Sequence, residues 1–208
     1  MDKPPKHPPS RPGDTRRQQI AAAALRCMQR GGYASLTARK IAREAGLSLG
    51  HITYHFKDMD EVLSETYRLA STLLQAATLK HLDQSSGDPL DRLQAFLRAG
   101  FTAEFLDLSY LRVRVDLWSA ALTHETIART EQELYQRYRQ NLETLLTDIN
   151  PNATERIAFV ADAVMAMLDG LWLDWVRRRD AAAIGNGLAA CMLLAETLRS
   201  PAAGVPQP

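Results

Sequence analysis

Proline is nearly absent from the interior of this chain, and that absence narrows what the chain can fold into. Of ten prolines, five lie at or before Pro12 and three at or after Pro201, leaving Pro89 and Pro151 between them. Proline has no amide hydrogen and clashes inside a helix, so long stretches without it leave room for uninterrupted helices. Apolar residues in those stretches recur every three or four positions, the spacing of an amphipathic helix rather than a strand. The expected fold is all-α, with about nine helices, no strand and no internal repeat.

Capping residues divide the chain into those helices. Residues 1–13 are proline-rich and polar and read as a disordered arm; 201–208 read as a disordered tail. A first helix runs from Asp14, as N-cap, to Arg30, with Ile20, Ala24, Cys27 and Met28 on its apolar face and Gly31-Gly32 as its stop. Thr37 caps a short second helix that Gly46 ends, Ser48 caps a third reaching Tyr54 or His55, and Asp58 caps a long fourth. In the loop from Ser85 to Pro89, Asp88 and Pro89 open the next helix. Its periodicity carries on through Phe101 and Phe105 to a break at Asp107–Ser109. Thr123 starts a long helix ended by Asn150-Pro151, and two more follow at about Thr154–Arg178 and Ala181–Leu198.

The formal charge of +1 conceals an asymmetry: residues 1–60 carry 11 Lys/Arg against 5 Asp/Glu, and the remainder carries 14 against 19. A basic front on an acidic back suits a first part that meets a polyanion. Cys27 and Cys191 match no metal spacing and read as reduced core thiols of a cytoplasmic protein. No signal peptide is expected, and the apolar stretch Ile157–Val176 contains Asp162, Asp169 and Asp174, which argues against a membrane span. No phosphate-binding glycine loop, metal-spaced His/Cys set or activated nucleophile is visible, so no catalytic residue, metal or cofactor is expected.

Residues Thr37 to Phe56 carry the clearest chemistry. Two short helices joined by a tight turn at Gly46 form a helix-turn-helix, whose second helix enters the DNA major groove. Ile41, Ala45, Leu47 and Ile52 are spaced to pack the two helices together, and small Ala42 permits close approach. Leu49, Gly50, His51 and Thr53 then project from the start of the reading helix. Arg39, Leu49 and His51 are the expected base readers, Arg39 by bidentate contact to guanine. Thr37, Tyr54, His55 and Lys57 are the expected phosphate holders, and Ser48 offers free amides at a helix start. Gly50 costs a short helix about 1 kcal/mol relative to alanine, and close approach to DNA is a reason to keep it.

The run from Leu36 to Phe56, with Gly31-Gly32-Tyr33 before it and Asp60-Glu61-Val62-Leu63 after it, closely resembles the TetR family of transcriptional regulators. That resemblance implies an N-terminal three-helix DNA-binding domain, placed at 14–57, and a larger C-terminal ligand-sensing and dimerisation domain, placed at 58–200. Two positions depart from the family pattern: Thr53 stands where many members have Tyr, and Met59 where many have Lys. Met59 cannot replace a cation, and Lys57 is the available substitute. Further on, Ala166-Met167-Leu168-Asp169-Gly170-Leu171-Trp172-Leu173, with Leu117-Trp118-Ser119, is similar to the BetI-type, choline-responsive subgroup.

From this follow the expected partners: a pseudo-palindromic DNA operator, a second copy of the chain through the last two helices, and a small-molecule effector that releases the repressor. The dimer stripes are read as Ile157, Val164, Leu168, Leu171 and Trp175 on one helix and Leu188, Cys191, Met192, Ala195 and Leu198 on the other, the alternative being an ordinary intramolecular core. Phe101, Phe105, Tyr110, Asp116, Trp118, Asp169 and Trp172 are the candidate effector site. Aromatic faces with a carboxylate suit a cation such as a quaternary ammonium or polyamine. Aromatics at helical spacing are more often plain core, and Asp116 or Asp169 can pair with Arg112, Arg114 or another arginine. An activator, a regulator without a ligand, an all-helical enzyme and a scaffold are the alternatives. Salt-dependent binding to a DNA duplex separates a regulator from the last two.

Overall fold

Helix α1 (Pro12–Gly31) opens the computed structural model, which describes residues 12–199. The expected disordered arm and tail lie outside the described residues, except for Pro12 and Gly13, which already belong to α1. The helix thus starts ahead of Asp14, because proline's fixed φ suits a first turn. After a 3-10 turn at Tyr33–Ser35 come α2 (Ala38–Ala45), α3 (Leu49–His55), α4 (Met59–Asp83), α5 (Pro89–Ala99), α6 (Leu108–Ala121), α7 (Glu125–Ile149), α8 (Thr154–Arg178) and α9 (Ala181–Glu196). No strand occurs among the described residues.

Most caps behave as their residue types dictate. Thr37 accepts from the Lys40 amide, Asp58 from Glu61, Asp88 from Leu90 and Asp180 from Ala182. Gly46 sits at φ 68°, the left-handed conformation that lets α2 stop and the chain reverse. Besides α1, two starts differ from expectation. Ser48 makes no side-chain cap, since its hydroxyl is paired with the His51 ring instead. Helix α7 begins at Glu125 with His124 at the cap position, one turn-residue beyond Thr123.

The largest correction concerns α5, which ends at Ala99 although apolar periodicity continues to Phe105. The reason lies on α8. The Trp172 indole N–H donates to the Gly100 carbonyl at 3.1 Å, and the Trp175 indole N–H donates to Leu106 O at 2.8 Å. Those two bonds satisfy carbonyls of the irregular 100–107 segment and hold it against α8. Any side chain at position 100 would press on Trp172, with only 2.9 Å between a Cβ there and the indole. Phe105 stays buried in this segment without belonging to a helix.

Three apolar clusters position the functional parts. Ile20, Ala24, Ile41, Ala45, Ile52, Phe56 and Val62 form the core of the head. Leu25 and Met28, on the other face of α1, pack with Leu63, Tyr67, Val113, Leu117 and Ile127 of the body. Helix α1 therefore belongs to both cores, and the head is seated on the body through it.

The body's own core takes Leu93 and Phe96 from α5, Leu142 and Leu146 from α7, Val160, Val164 and Leu168 from α8, and Cys191 and Ala195 from α9. The stripes expected at a dimer interface are thus largely turned inward: Ile157, Val164, Leu168, Cys191, Ala195 and Leu198 are all buried within one chain. Helix α8 is apolar around much of its circumference, so periodicity alone could not say which stripe faces out. Its outward apolar residues are Phe159, Leu173 and Val176, joined on α9 by Leu193, which is 65% exposed. An 18-residue window of Ala181–Arg199 has a mean hydropathy of 1.5, enough by length and composition for a membrane span, and 22% of that window is buried within the described residues.

Candidate nucleic-acid interface and effector cavity

Helix α3 has only Ile52 buried, and that residue, with Phe56 at its end, anchors it to the head core. The remaining side chains face solvent, His55 only in part. Leu49, Gly50, His51, Thr53 and Tyr54 are exposed, and Tyr54 is 84% exposed with no apolar cover. Thr37, Arg39 and Lys57 are exposed beside them, and His55 is half-buried with its ring edge-on to Tyr54. The ten expected contact residues therefore lie on α2, α3 and their flanks, with nine of them exposed.

Local bonds fix some of their chemistry. Ser48 Oγ and His51 Nδ1 lie 2.8 Å apart, which turns the other ring nitrogen of His51 away from that contact. The Thr53 hydroxyl donates to Gly50 O at 3.2 Å, so its proton is used within its own helix. Met59 packs against the head core instead of facing outward. A Cβ at Gly50 would meet only Ser48 Oγ, at 3.7 Å. Nothing inside the chain requires glycine there.

Arg17, far from the helix-turn-helix in sequence, secures the end of the reading helix. Its guanidinium donates to the His55 carbonyl and, at 2.8 Å, to Glu61 Oε1, while lying 4.2 Å over the Phe56 ring. The second Glu61 oxygen accepts the Lys57 amide at 2.8 Å. That amide bond, ahead of Arg17, holds the Glu61 carboxyl below its usual range. One carboxylate thus ties α1, the end of α3 and the start of α4 together.

A second clamp joins head to body from α6. Arg112 donates to the Gln29 and Arg30 carbonyls at 3.0 and 3.2 Å, satisfying the open end of α1. Asp116 accepts the Tyr33 amide at 2.6 Å. Gly32 lies between them at φ 70°, where a Cβ would stand 3.2 Å from Asp116 Oδ2. At the α6–α7 corner, His124 bridges the Tyr33 hydroxyl at 3.3 Å and Asp60 of α4 at 3.0 Å. Asp116, expected in the effector site, serves this clamp.

The opposite face of α6 lines a cavity of about 70 Å³, walled also by α4, α7 and α8. Four tyrosines face it: Tyr67, Tyr110, Tyr135 and Tyr138. Three charged groups join them: Arg114 on α6, Glu131 on α7 and Asp169 on α8. Tyr67 donates to Glu131, and burial raises the Tyr67 and Tyr138 hydroxyls far above their ordinary values, so both stay neutral donors. Burial likewise raises the Asp169 carboxyl, against the opposing pull of Arg114.

Of the seven candidate effector residues, Tyr110, Asp169 and Trp172 line this cavity. Phe101 stacks on Trp172 from the α5–α9 side, Phe105 packs edge-on to Tyr110, and Trp118 lies beside the Arg114 guanidinium. Sequence reasoning missed Glu131, Tyr135 and Tyr138. Their spacing puts an acid and two phenols on one face of α7, a stripe that periodicity alone does not separate from a plain amphipathic face.

A helix-turn-helix head carried on an all-helical body is the build of a DNA-binding transcriptional regulator, not of an enzyme. The model of bacterial regulatory proteins of the tetR family matches residues 20–66, and that of BetI-type transcriptional repressors, C-terminal, matches residues 89–199. The chain belongs to the TetR family, with a C-terminal part of the BetI type. It is 33% identical to the HTH-type transcriptional regulator BetI of Serratia proteamaculans over 159 residues, 76% of this chain and 79% of that protein. A putative transcriptional regulator from Pseudomonas aeruginosa PAO1 superposes with a TM-score of 0.75 at 28% identity, covering 92% of this chain and 93% of its own. A putative transcriptional regulator from Saccharomonospora viridis, solved in complex with choline, has the same fold at a TM-score of 0.69 and 20% identity, covering 88% and 96%.

Proposed function

We propose that this chain is a ligand-responsive repressor, binding a pseudo-palindromic operator as a homodimer and leaving it when a small cation occupies the cavity. The observation that carries the DNA half is the outward row Leu49, Gly50, His51, Thr53 and Tyr54 on α3, which none of the other described residues covers. Arg39, Leu49 and His51 read bases; Thr37, Ser48, Tyr54, His55 and Lys57 hold the backbone. Repression is the role in the name of the BetI-type model that matches the C-terminal half.

Two reading helices are needed to engage successive major grooves. A second copy is the occupant proposed for the outer faces of α8 and α9. Phe159, Leu173 and Leu193 supply apolar area there, and Ala166, Gly170, Ala182 and Ala190 let helices approach closely. That covering also accounts for an apolar α9 without a membrane.

For the effector, two carboxylates against one guanidinium leave the cavity wall net negative, and tyrosine faces suit a cation. The choline complex of the Saccharomonospora regulator accords with that class. The test is fluorescence anisotropy on a labelled duplex taken from the region upstream of the chain's own gene. Expected are two chains per site and an affinity that falls log-linearly with salt. Choline should weaken binding. Salt-independent binding, or none to any duplex from that region, overturns the reading.

A further inference from the structure

Arg114 carries the one buried side-chain nitrogen or oxygen among the described residues that is left unpaired. Its Nε has no hydrogen-bond partner. Its carboxylate partner, Asp169, stands at 3.7 Å, too far for a full hydrogen bond. Aromatic rings add most of the remaining contact: the central carbon of the guanidinium lies 3.4 Å over the Trp172 ring and 4.7 Å from that of Trp118, and the Tyr110 hydroxyl interacts with it. Two indoles and a carboxylate make a box for a cation, and the chain's own arginine sits in it.

We propose that Arg114 is an internal stand-in for the effector's cation, and that the effector enters by displacing it from Trp118, Trp172 and Asp169. This rests on the reading of the cavity as a cation site. A guanidinium brings five N–H donors, and the box leaves at least one of them unmet. A cation without N–H groups, such as a quaternary ammonium, gains the same aromatic and ionic contacts and orphans nothing. The displaced group also has somewhere to go, since the Arg114 side chain is already 18% exposed and Glu131 lines the same cavity.

Displacement carries a consequence for the head. Arg114 ties α6 to α8, while Arg112 and Asp116, two residues to either side on the far face of α6, hold the end of α1 and the Tyr33 amide. Releasing the tie frees α6 to shift, and the clamp on its other face moves with it. The ligand class and the coupling to the head are then read by one side chain.

The test uses the full-length protein and choline as the probe. Emptying the box by Arg114→Met removes the competitor, so choline should bind the variant about tenfold tighter than wild type, as when a fraction-occupied site becomes always available. Wild-type protein supplies an independent readout. Phenylglyoxal, which modifies arginine, should label Arg114 slowly in the free protein and faster once choline is present. Equal or weaker choline binding by a folded Arg114→Met, or protection of Arg114 by choline, overturns displacement while leaving the cation site standing. No choline binding to either protein overturns both.

Discussion

Asp116 on α6 accepts the Tyr33 backbone amide at 2.6 Å, a bond between residues 83 positions apart that locks the end of α1 to the body. Removing the carboxylate leaves that amide unmet beside Gly32. Asp116→Ala should cost about 1–2 kcal/mol of unfolding free energy, the range for losing a charge-assisted bond at a half-buried site. Urea denaturation measures the loss, and amide exchange locates it: Tyr33 should exchange faster while amides in α7 keep their protection. Unchanged exchange at Tyr33 would mean the bond contributes nothing in solution.

The local grammar of this chain was readable because caps, turns and reading-head spacing act within a few residues. Thr37, Gly46, Asp58, Asp88 and Pro89 did what their chemistry requires, and the outward row on α3 followed from Ile52 facing in. What escaped was long-range. The stop at Ala99 depends on Trp172, 72 positions from the carbonyl it bonds. The role of Arg17 depends on Glu61, and that of Asp116 on Tyr33. A helix such as α8, apolar on several sides, gives no clue to which stripe meets the cavity, the core or a second copy.

Glu61 offers a prediction in pH. Its carboxyl is held low by the Lys57 amide and then by Arg17. A depressed carboxyl contributes stability above its unfolded value, about 4.3, and loses it as pH falls through the lower folded value. Glu61→Gln should therefore be less stable than wild type near neutral pH, by about 0.5–1 kcal/mol once solvent screening of a partly exposed pair is allowed for. The gap should close towards pH 3. Urea midpoints at both pH values give the comparison, and a gap that persists in acid would assign the effect to packing.

The two cysteines should behave differently. Cys191 is fully buried, and burial pushes its thiol up to about 11, so almost none is thiolate at pH 8. Cys27 is half-buried on α1, with its sulfur near the Lys40 carbonyl. A thiol-reactive dye should label one site per folded chain at pH 8, mapped by mass spectrometry to Cys27, and two in denaturant. Rapid labelling of Cys191 in the folded protein would contradict its packing against α8.

Gly50 separates what the fold needs from what DNA needs. A Cβ there meets nothing closer than Ser48 Oγ at 3.7 Å, so Gly50→Ala is accommodated without strain in the free chain. Alanine is the better helix former by about 1 kcal/mol, and the variant should be the more stable protein. On the operator the sign should reverse. If glycine is kept so that the exposed face of α3 can press against a base edge or sugar, a methyl group there costs contact and weakens binding several-fold. Thermal melting and anisotropy on the same preparation give both signs. A variant more stable and equally tight on DNA would remove Gly50 from the interface, leaving Leu49, His51 and Tyr54 to carry the contact.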